Sequence, residues 1–340
     1  MYNYEIPYEL AKKIRASIFL TGPLLARFHK VYFYNPGGCD IGARPIDIHL
    51  NGFKCFNIES SISEHIYCRC DKLNGCKINL RYKSVGATEN LLMLSVLSNG
   101  KTTITNCAKE PEVVCLANFL NLCGAKIKGA GTSVIEVEGV KKLKSLNLTF
   151  MPISDRIETG TYLLMLLSVG GEICIKNADF LNNLTLIKKI QNNACKLSVF
   201  NDKIYMKSCG SGNCIKYTKT GPYPEFPTDL QSQLCSYLST QKGLSIVEET
   251  VFDNRFKQLE ELVKMGANIH IKSNKAFIKG VKKLYGKSVY AYDLRGGASM
   301  ILAGLSAEGV TTIDNSEVID RGYFEIENKL SLLGANIKRV

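Results

Sequence analysis

Apolar and polar positions alternate in short β-rich runs that open on glycine and recur along the chain. Four of them are Gly100-Lys-Thr-Thr-Ile104, Gly171-Glu-Ile-Cys-Ile175, Gly243-Leu-Ser-Ile-Val247 and Gly309-Val-Thr-Thr-Ile313. Past a polar turn, each is followed by a helical stretch that ends in similar words. These are Leu122-Cys-Gly-Ala-Lys-Ile127, Gln191-Asn-Asn-Ala-Cys-Lys196, Lys264-Met-Gly-Ala-Asn-Ile269 and Leu332-Leu-Gly-Ala-Asn-Ile337. The glycine reads as a helix C-cap, where positive φ is cheap only without a Cβ. A strand then resumes, closing alike in two copies as Glu138-Gly-Val-Lys-Lys-Leu143 and Lys279-Gly-Val-Lys-Lys-Leu284. A fainter fifth copy has a strand at Val31–Tyr34 and Gly52-Phe-Lys-Cys at its helix end. The repeat spans roughly 70 residues.

Between copies lie helical runs with no polar face, Thr88–Leu97 and Glu158–Val169 among them. A helix apolar all round must be enclosed. Sheets wrapped around central buried helices satisfy that demand. The expected fold is therefore an α/β prism turned inside out, built from βαβαββ-type units. A doubly wound parallel sheet, the alternative, would leave these helices on the outside. Three units per prism would make six. Five copies imply two domains, 1–154 and 155–340, with the first short of about one repeat.

Composition narrows the function classes. With 45% apolar and 22% charged residues in 340, the chain resembles an ordinary globular protein of two domains. No apolar run reaches the roughly 20 residues of a membrane span, and the N-terminus does not read as a signal peptide. The thirteen cysteines lack CxxC pairs, which disfavours a zinc finger or a disulfide framework and points to free thiols in a reducing cytoplasm. The net charge of +12 is spread out; its longest clusters, around Lys141-Lys142 and Lys282-Lys283, are short. Such charge suits anionic small substrates and argues against a nucleic-acid partner.

The segment Asn35-Pro-Gly-Gly-Cys-Asp-Ile-Gly-Ala-Arg-Pro-Ile-Asp-Ile-His49 is more specific. It resembles the mobile catalytic loop of the UDP-N-acetylglucosamine enolpyruvyl transferases (1-carboxyvinyltransferases). Further matches follow in the family's order: Ile14-Arg-Ala-Ser17, Ser84-Val-Gly-Ala-Thr88, Lys109-Glu-Pro-Glu112, Asp155-Arg-Ile-Glu-Thr-Gly160 and Phe226-Pro-Thr-Asp229. Then come Glu249-Thr-Val-Phe-Asp-Asn-Arg-Phe256, Asp293-Leu-Arg295 and Ile319-Asp-Arg-Gly-Tyr323. The resemblance runs from about residue 7 to the C-terminus and implies two inside-out α/β prisms, in agreement with the repeat.

It also implies a reaction. The enolpyruvyl group of phosphoenolpyruvate passes to the 3′-hydroxyl of UDP-N-acetylglucosamine and phosphate leaves, the first committed step of peptidoglycan synthesis. That chemistry needs an acid for the methylene carbon, a base for the sugar hydroxyl, cations for phosphate and carboxylate, and exclusion of water. By resemblance Cys39 is the general acid and the thiol alkylated by fosfomycin, on a Gly-Gly loop free to close. Asp229 is the base; by default an Asp after Pro-Thr would be a helix N-cap. Arg44 and Arg321 would take phosphate, Arg255 and Arg295 the carboxylate, through the bidentate fork of Arg. Asp293 would orient that clamp or contribute to acid–base work. For the nucleotide sugar the resemblance indicates Arg15, the run Arg44, Pro45, Ile46, Asp47 and Ile48, the turn Lys83, Ser84, Val85 and Gly86, and Val251. The family's Lys stands two residues before the Ser; here Tyr82 does, with Lys83 one place later. No metal or organic cofactor is implied.

One element of the pattern is not found. The family opens with a further repeat carrying a Lys-Asn pair, KNAALP-like, and the Lys contributes to phosphoenolpyruvate binding. An upstream start, a second polypeptide supplying the part, or a degenerate relic are the readings left open. The rival activities are a sister transferase acting on shikimate 3-phosphate, disfavoured by the Cys39 loop, and an inactive or partner-dependent UDP-sugar-binding remnant.

Overall fold

The computed structural model describes residues 4–38, 41–42, 44–145, 147, 149–191, 193 and 195–340. These fall into two compact units. One comprises residues up to Gly38 together with 44–153, the other residues 154–340, with Ile41 and Gly42 counted in the second.

In the first unit the elements are α1 (Tyr8–Ala11), α2 (Thr21–Phe28), β1 (Lys30–Phe33), α3 (Asp47–Cys55), β2 (Glu59–Ile62), β3 (Ile66–Arg69), β4 (Lys77–Asn79) and α4 (Val85–Ser95). Then follow β5 (Lys101–Thr105), α5 (Pro111–Leu122), β6 (Lys126–Lys128) and β7 (Val134–Glu138). Two sheets form, in the orders β1-β3-β2 and β4-β5-β7-β6. In the second sheet β4 runs parallel to β5, and β5 and β6 both pair antiparallel with β7.

The second unit repeats the scheme. Its elements are α6 (Arg156–Val169), β8 (Gly171–Ile175), α7 (Leu184–Ile190), β9 (Cys195–Phe200), β10 (Lys203–Ser208), β11 (Tyr217–Lys219), α8 (Gln231–Leu238) and β12 (Leu244–Glu248). They continue with α9 (Lys257–Lys264), β13 (Asn268–Lys272), β14 (Lys275–Lys279), β15 (Ser288–Tyr290), α10 (Leu294–Ser306), β16 (Thr312–Asp314) and α11 (Ile326–Leu332). The sheets are β8-β10-β9, β11-β12-β14-β13 and the parallel pair β15-β16. The order β11-β12-β14-β13 reproduces β4-β5-β7-β6 strand for strand, as a duplicated unit should.

The cores lie where the unbroken apolar runs required. In α6 every residue from Thr159 to Ser168 is buried, and in α10 every residue from Gly296 to Ala303. Helices α6, α8 and α10 pack on one another inside the second unit, and α4 packs on α2 and α3 inside the first. The strands turn alternate residues inward, as in β10, where Ile204, Met206 and Ser208 are buried and Tyr205 and Lys207 exposed. Helices inside and sheets outside make the inside-out prism.

Four details depart from the sequence reading. The short strands β4, β11 and β15 before the central helices were not foreseen, because three residues are too few to show a period. The signature glycines Gly124, Gly266 and Gly334, at φ of 93°, 98° and 95°, stand one place beyond the C-caps Cys123, Met265 and Leu333. Gly52 ends no helix: it lies within α3, where a Cβ would meet the Leu91 methyls at 2.6 Å, and Asn57 takes the positive φ instead. Finally, α8 is fully buried yet polar at four of its eight positions, Gln231, Ser232, Gln233 and Ser236. Several of its polar groups are bonded inside: Gln233 Nε2 donates to Tyr323 Oη at 2.9 Å and Ser236 Oγ to the Ser299 carbonyl at 3.0 Å.

A second buried polar network joins the first unit's helices. Asn90 Nδ2 lies 2.8 Å from Thr21 Oγ1 and 3.0 Å from His49 Nδ1, while Asn90 Oδ1 accepts from Gly22 N–H at 2.7 Å. Burial, then Arg15, lower the His49 pKa to about 4 against the pull of Asp47. The ring is therefore neutral and its Nδ1 accepts; a protonated Nδ1 would face a donor.

Two expectations follow. Leu234→Ala in α8, fully buried, should destabilise by about 2–5 kcal/mol in denaturant unfolding, whereas Leu244→Ala, 51% exposed, should stay within about 0.5 kcal/mol. Equal effects would mean that α8 is not central. For His49 the folded pKa lies below the unfolded value near 6.5, so protons favour the unfolded chain. Stability should fall as pH drops from about 6.5 to 4, by up to roughly 3 kcal/mol for this group. His49→Gln should remove that part of the pH dependence of unfolding.

Candidate active site

In the second unit the N-terminal ends of the three buried helices carry charged residues. Asp155 caps α6, accepting from Ile157 N–H at 2.7 Å and Glu158 N–H at 2.9 Å. Asp293 caps α10, accepting from the N–H groups of Arg295 and Gly296 at 2.9 and 3.2 Å. Asp229 sits in the 3-10 turn Thr228–Leu230 that leads into α8, behind a segment with a cis Tyr223–Pro224 bond.

Asp229 is not the N-cap that its setting suggested. Leu230 holds the cap position of α8, and the Asp229 carboxylate turns to guanidiniums. Arg255 Nη2 donates to Asp229 Oδ1 at 2.7 Å, and Arg295 Nη2 lies 3.5 Å from Oδ2. Arg255 Nη1 is also 3.6 Å from Asp293 Oδ1. Burial would raise the Asp229 pKa, but Arg295, Arg255 and Arg156 outweigh it and hold the carboxyl below its usual range. Burial likewise disfavours the Arg295 cation, and Asp229 and Tyr323 more than offset this. The Arg295 guanidinium also lies over the Tyr323 ring, 5.2 Å from its centroid.

Two donors of this cluster lack acceptors. Arg295 Nη1 and Arg255 Nε are buried with no hydrogen-bond partner among the described residues. An unsatisfied buried donor costs about 1–3 kcal/mol, more when charged, and a bound anion would remove that cost. Arg321 follows β16 in a 3-10 turn, and the backbone at Gly322 approaches Arg295 closely enough that a Cβ would lie 3.2 Å from Nη1. Val251 is 40% exposed, and its N–H donates to Glu249 Oε1 at 2.7 Å.

The first unit gathers another set. Arg15 Nη2 donates to the Pro45 carbonyl at 3.4 Å. Burial and the neighbouring Arg44 lower the Arg15 pKa to about 10, with Tyr82 opposing. At Gly38, φ is +121°, and a Cβ would stand 3.2 Å from Arg15 Cβ and 3.6 Å from Arg44 Nη1. Ile46 caps α3, and Ile48 is buried. Asp47 pairs with Arg81 at 2.8 Å. Ser84 caps α4 by accepting from Ala87 N–H at 3.2 Å, with Val85 and Gly86 opening the helix and Lys83 exposed before it. A Cβ on Gly86 would lie 3.7 Å from the His49 ring, so the Ser84 turn and the Arg15 set are neighbours through His49. Cys39 lies outside the described residues.

Sequence reasoning passed over Glu249, Arg156, His49 and Tyr323 as individual residues, although all but Tyr323 and His49 are charged and all four stand inside the quoted motifs. None of the twelve described cysteines forms a disulfide. Burial pushes the Cys68 and Cys76 thiols up to about 12 and Cys107 to about 11, which makes them unreactive. A depression of about 340 Å³ on the β8-β10-β9 sheet, lined by Glu172, Cys174, Tyr205 and Lys207 among others, shares no residue with either set. No described helix is long and apolar enough to cross a membrane.

Known proteins of two kinds resemble this chain. The EPSP synthase (3-phosphoshikimate 1-carboxyvinyltransferase) family matches residues 1–330. UDP-N-acetylglucosamine 1-carboxyvinyltransferase 2 of Caldanaerobacter subterraneus subsp. tengcongensis is 47% identical over 99% of this chain and 80% of its own length. The corresponding enzyme of Desulfovibrio desulfuricans is 44% identical over 98% and 80%. Among solved structures, the enolpyruvyl transferase NikO from Streptomyces tendae shares the fold, with a TM-score of 0.86 at 20% identity over 99% of this chain and 80% of that one. EPSP synthase from Acinetobacter baumannii superposes with a TM-score of 0.70 at 16% identity, over 94% and 77%. With the prism, the ordered motifs and this degree of identity together, the chain belongs to the EPSP synthase family of enolpyruvyl transferases, among its UDP-N-acetylglucosamine 1-carboxyvinyltransferases.

Proposed function

We propose that the chain transfers the enolpyruvyl group of phosphoenolpyruvate to the 3′-hydroxyl of UDP-N-acetylglucosamine, releasing phosphate, as the first committed step of peptidoglycan synthesis. Relatives named for this transferase activity, at 44–47% identity over nearly the whole chain, support the substrate pair. The observation that carries the chemistry is the Asp229 carboxylate held between Arg255 and Arg295, with buried guanidinium donors left over for an anion.

The roles follow from what each group can do. Asp229 accepts the proton of the sugar hydroxyl as its oxygen bonds to C2 of phosphoenolpyruvate. Cys39 delivers a proton to C3, which completes the addition. The Cys39 thiolate then takes back a C3 proton as phosphate leaves, which restores the double bond, and the Asp229 proton passes to the departing phosphate. Arg255 and Arg295 bind the carboxylate, and Arg44 and Arg321 the phosphate. Arg15, the segment Arg44–Ile48, the turn Lys83–Gly86 and Val251 hold the nucleotide sugar, with Asp293 fixing Arg255. The first unit thus carries the sugar set apart from Val251, and the second carries Val251, the base and the carboxylate clamp, so we take the two units as the two domains of the enzyme.

The three guanidiniums that keep Asp229 ionised also make it a weak base. Substrate anions on Arg255 and Arg295 would offset those charges and raise its basicity once the site is loaded. The same reading places the enzyme in the cytoplasm, makes its product necessary for cell shape, growth and division, and makes Cys39 the thiol alkylated by fosfomycin.

Mixing the protein with both substrates should release phosphate. Cys39→Ala should abolish that release and the covalent mass increase with fosfomycin. Sugar binding by calorimetry without phosphate release would favour a binding remnant instead, and release dependent on shikimate 3-phosphate would favour the sister activity. Asp229→Asn should lower kcat by about 10²–10⁴-fold. Arg295→Lys, which keeps the charge but loses the fork, should raise KM for phosphoenolpyruvate by at least about tenfold. A change confined to the sugar's KM would overturn the assignment of Arg295.

A further inference from the structure

The Glu249 carboxylate takes no part in the steps above, yet it is one of the most fully bonded groups of the second unit. It is 4% exposed. Oε1 accepts from Val251 N–H at 2.7 Å, Thr220 Oγ1 at 2.9 Å and Phe252 N–H at 3.2 Å. Oε2 accepts from Thr228 Oγ1 at 2.9 Å. A carboxylate buried without such donors would be strongly disfavoured; with them it becomes a rigid four-way joint.

The joint connects two stretches of chain. Thr228 immediately precedes Asp229, and Val251 and Phe252 begin the turn that ends at Arg255. At their other end the stretches are tied by Thr250 Oγ1 donating to the Thr220 carbonyl at 2.7 Å and Thr250 N–H donating to Thr220 Oγ1 at 3.0 Å. Near Asp229 and Arg255 themselves, Glu249 is the link that stands behind their 2.7 Å contact.

We propose that Glu249 is a positioning residue for the transfer. Its buried carboxylate pins the Thr228–Asp229 turn to the Val251–Arg255 segment and so sets where the base stands relative to its guanidinium. The inference rests on reading Asp229 as the base. Glu249→Gln keeps an acceptor oxygen for the two amides, and its new amide nitrogen can donate to Thr228 Oγ1, so the pin should survive. Glu249→Ala removes all four bonds. Thr228→Val removes only the bond on the Asp229 side.

Two measurements test this. In steady-state phosphate release, Glu249→Ala should lower kcat by about 10²-fold and, because it also frees Val251, raise the KM for the sugar. Thr228→Val should lower kcat about tenfold with both KM values within about threefold, and Glu249→Gln should stay within about threefold of wild type. Independently of turnover, the Asp229 carboxyl is followed by ¹³C NMR titration and assigned with Asp229→Asn. Facing Arg255, Arg295 and Arg156, it should titrate below the usual range in the wild type and in Glu249→Gln. In Glu249→Ala and Thr228→Val it should move up towards about 3.9. An active wild type whose Ala and Val variants keep kcat, or show an undisplaced Asp229 titration, overturns the proposal. A wild type that releases no phosphate, with a displaced titration in the variants, overturns the base reading and leaves the pin. No release and no displacement overturns both. If Glu249→Ala does not fold, Thr228→Val decides.

Discussion

Everything in this protein depends on enclosing helices that have no polar face. Such a helix cannot lie on a surface without exposing a large apolar stripe, so sheets must close around it. In the second unit α6, α8 and α10 meet inside, and their starts come together: Asp155 caps one, Asp229 precedes the next, Asp293 caps the third. The electrostatics record that closeness, since Arg156 and Arg295 both act on Asp229 and Asp155 acts on Arg295. Helix N-termini carry partial positive charge and unused N–H groups. A bundle that turns three of them to one end, with arginines added, is a place suited to anions.

The loops that follow the outer strands supply the rest. Arg255 follows β12 and Arg321 follows β16, in equivalent places of successive repeats. Repetition thus serves a purpose beyond stability. Each copy offers the same turn, and only the side chain placed there needs to change. The buried guanidinium of Arg255, 1% exposed, would be untenable alone; Asp229 and Asp293 make it possible, and it in turn orders them.

Much of this was legible in the sequence, for identifiable reasons. The Gly-Ala-Asn-Ile words mark helix ends because a left-handed residue is needed there, and the unbroken run from Leu91 to Leu97 can only be core. What was not legible depends on contacts between distant residues. Gly52 looks like a helix end but is a place where Leu91 comes close. Helix α8 looks half polar, and its burial becomes affordable only when Tyr323 and the Ser299 carbonyl, far along the chain, answer Gln233 and Ser236. The candidate site residues stood out by the chemistry their motifs imply, whereas Glu249, though it opens one of those motifs, did not, since nothing local distinguishes a buried, four-fold bonded glutamate from a surface one.

The two aspartates beside Arg255 differ in their surroundings more than in kind, and the proposed role of Asp229 as base rests on that difference. Asp293 spends one oxygen on two helix N–H groups and the neighbouring guanidinium, and its side chain is 8% exposed. Those bonds cap α10 and fix the backbone at Arg295. Asp229 caps nothing. Its side chain is 41% exposed, and its fixed bonds come from guanidiniums that a substrate anion can also engage. Loosening those bonds would release no backbone element. Of the two carboxylates, then, Asp229 is the one whose surroundings suit the proposed base, while Asp293 is tied into the start of α10.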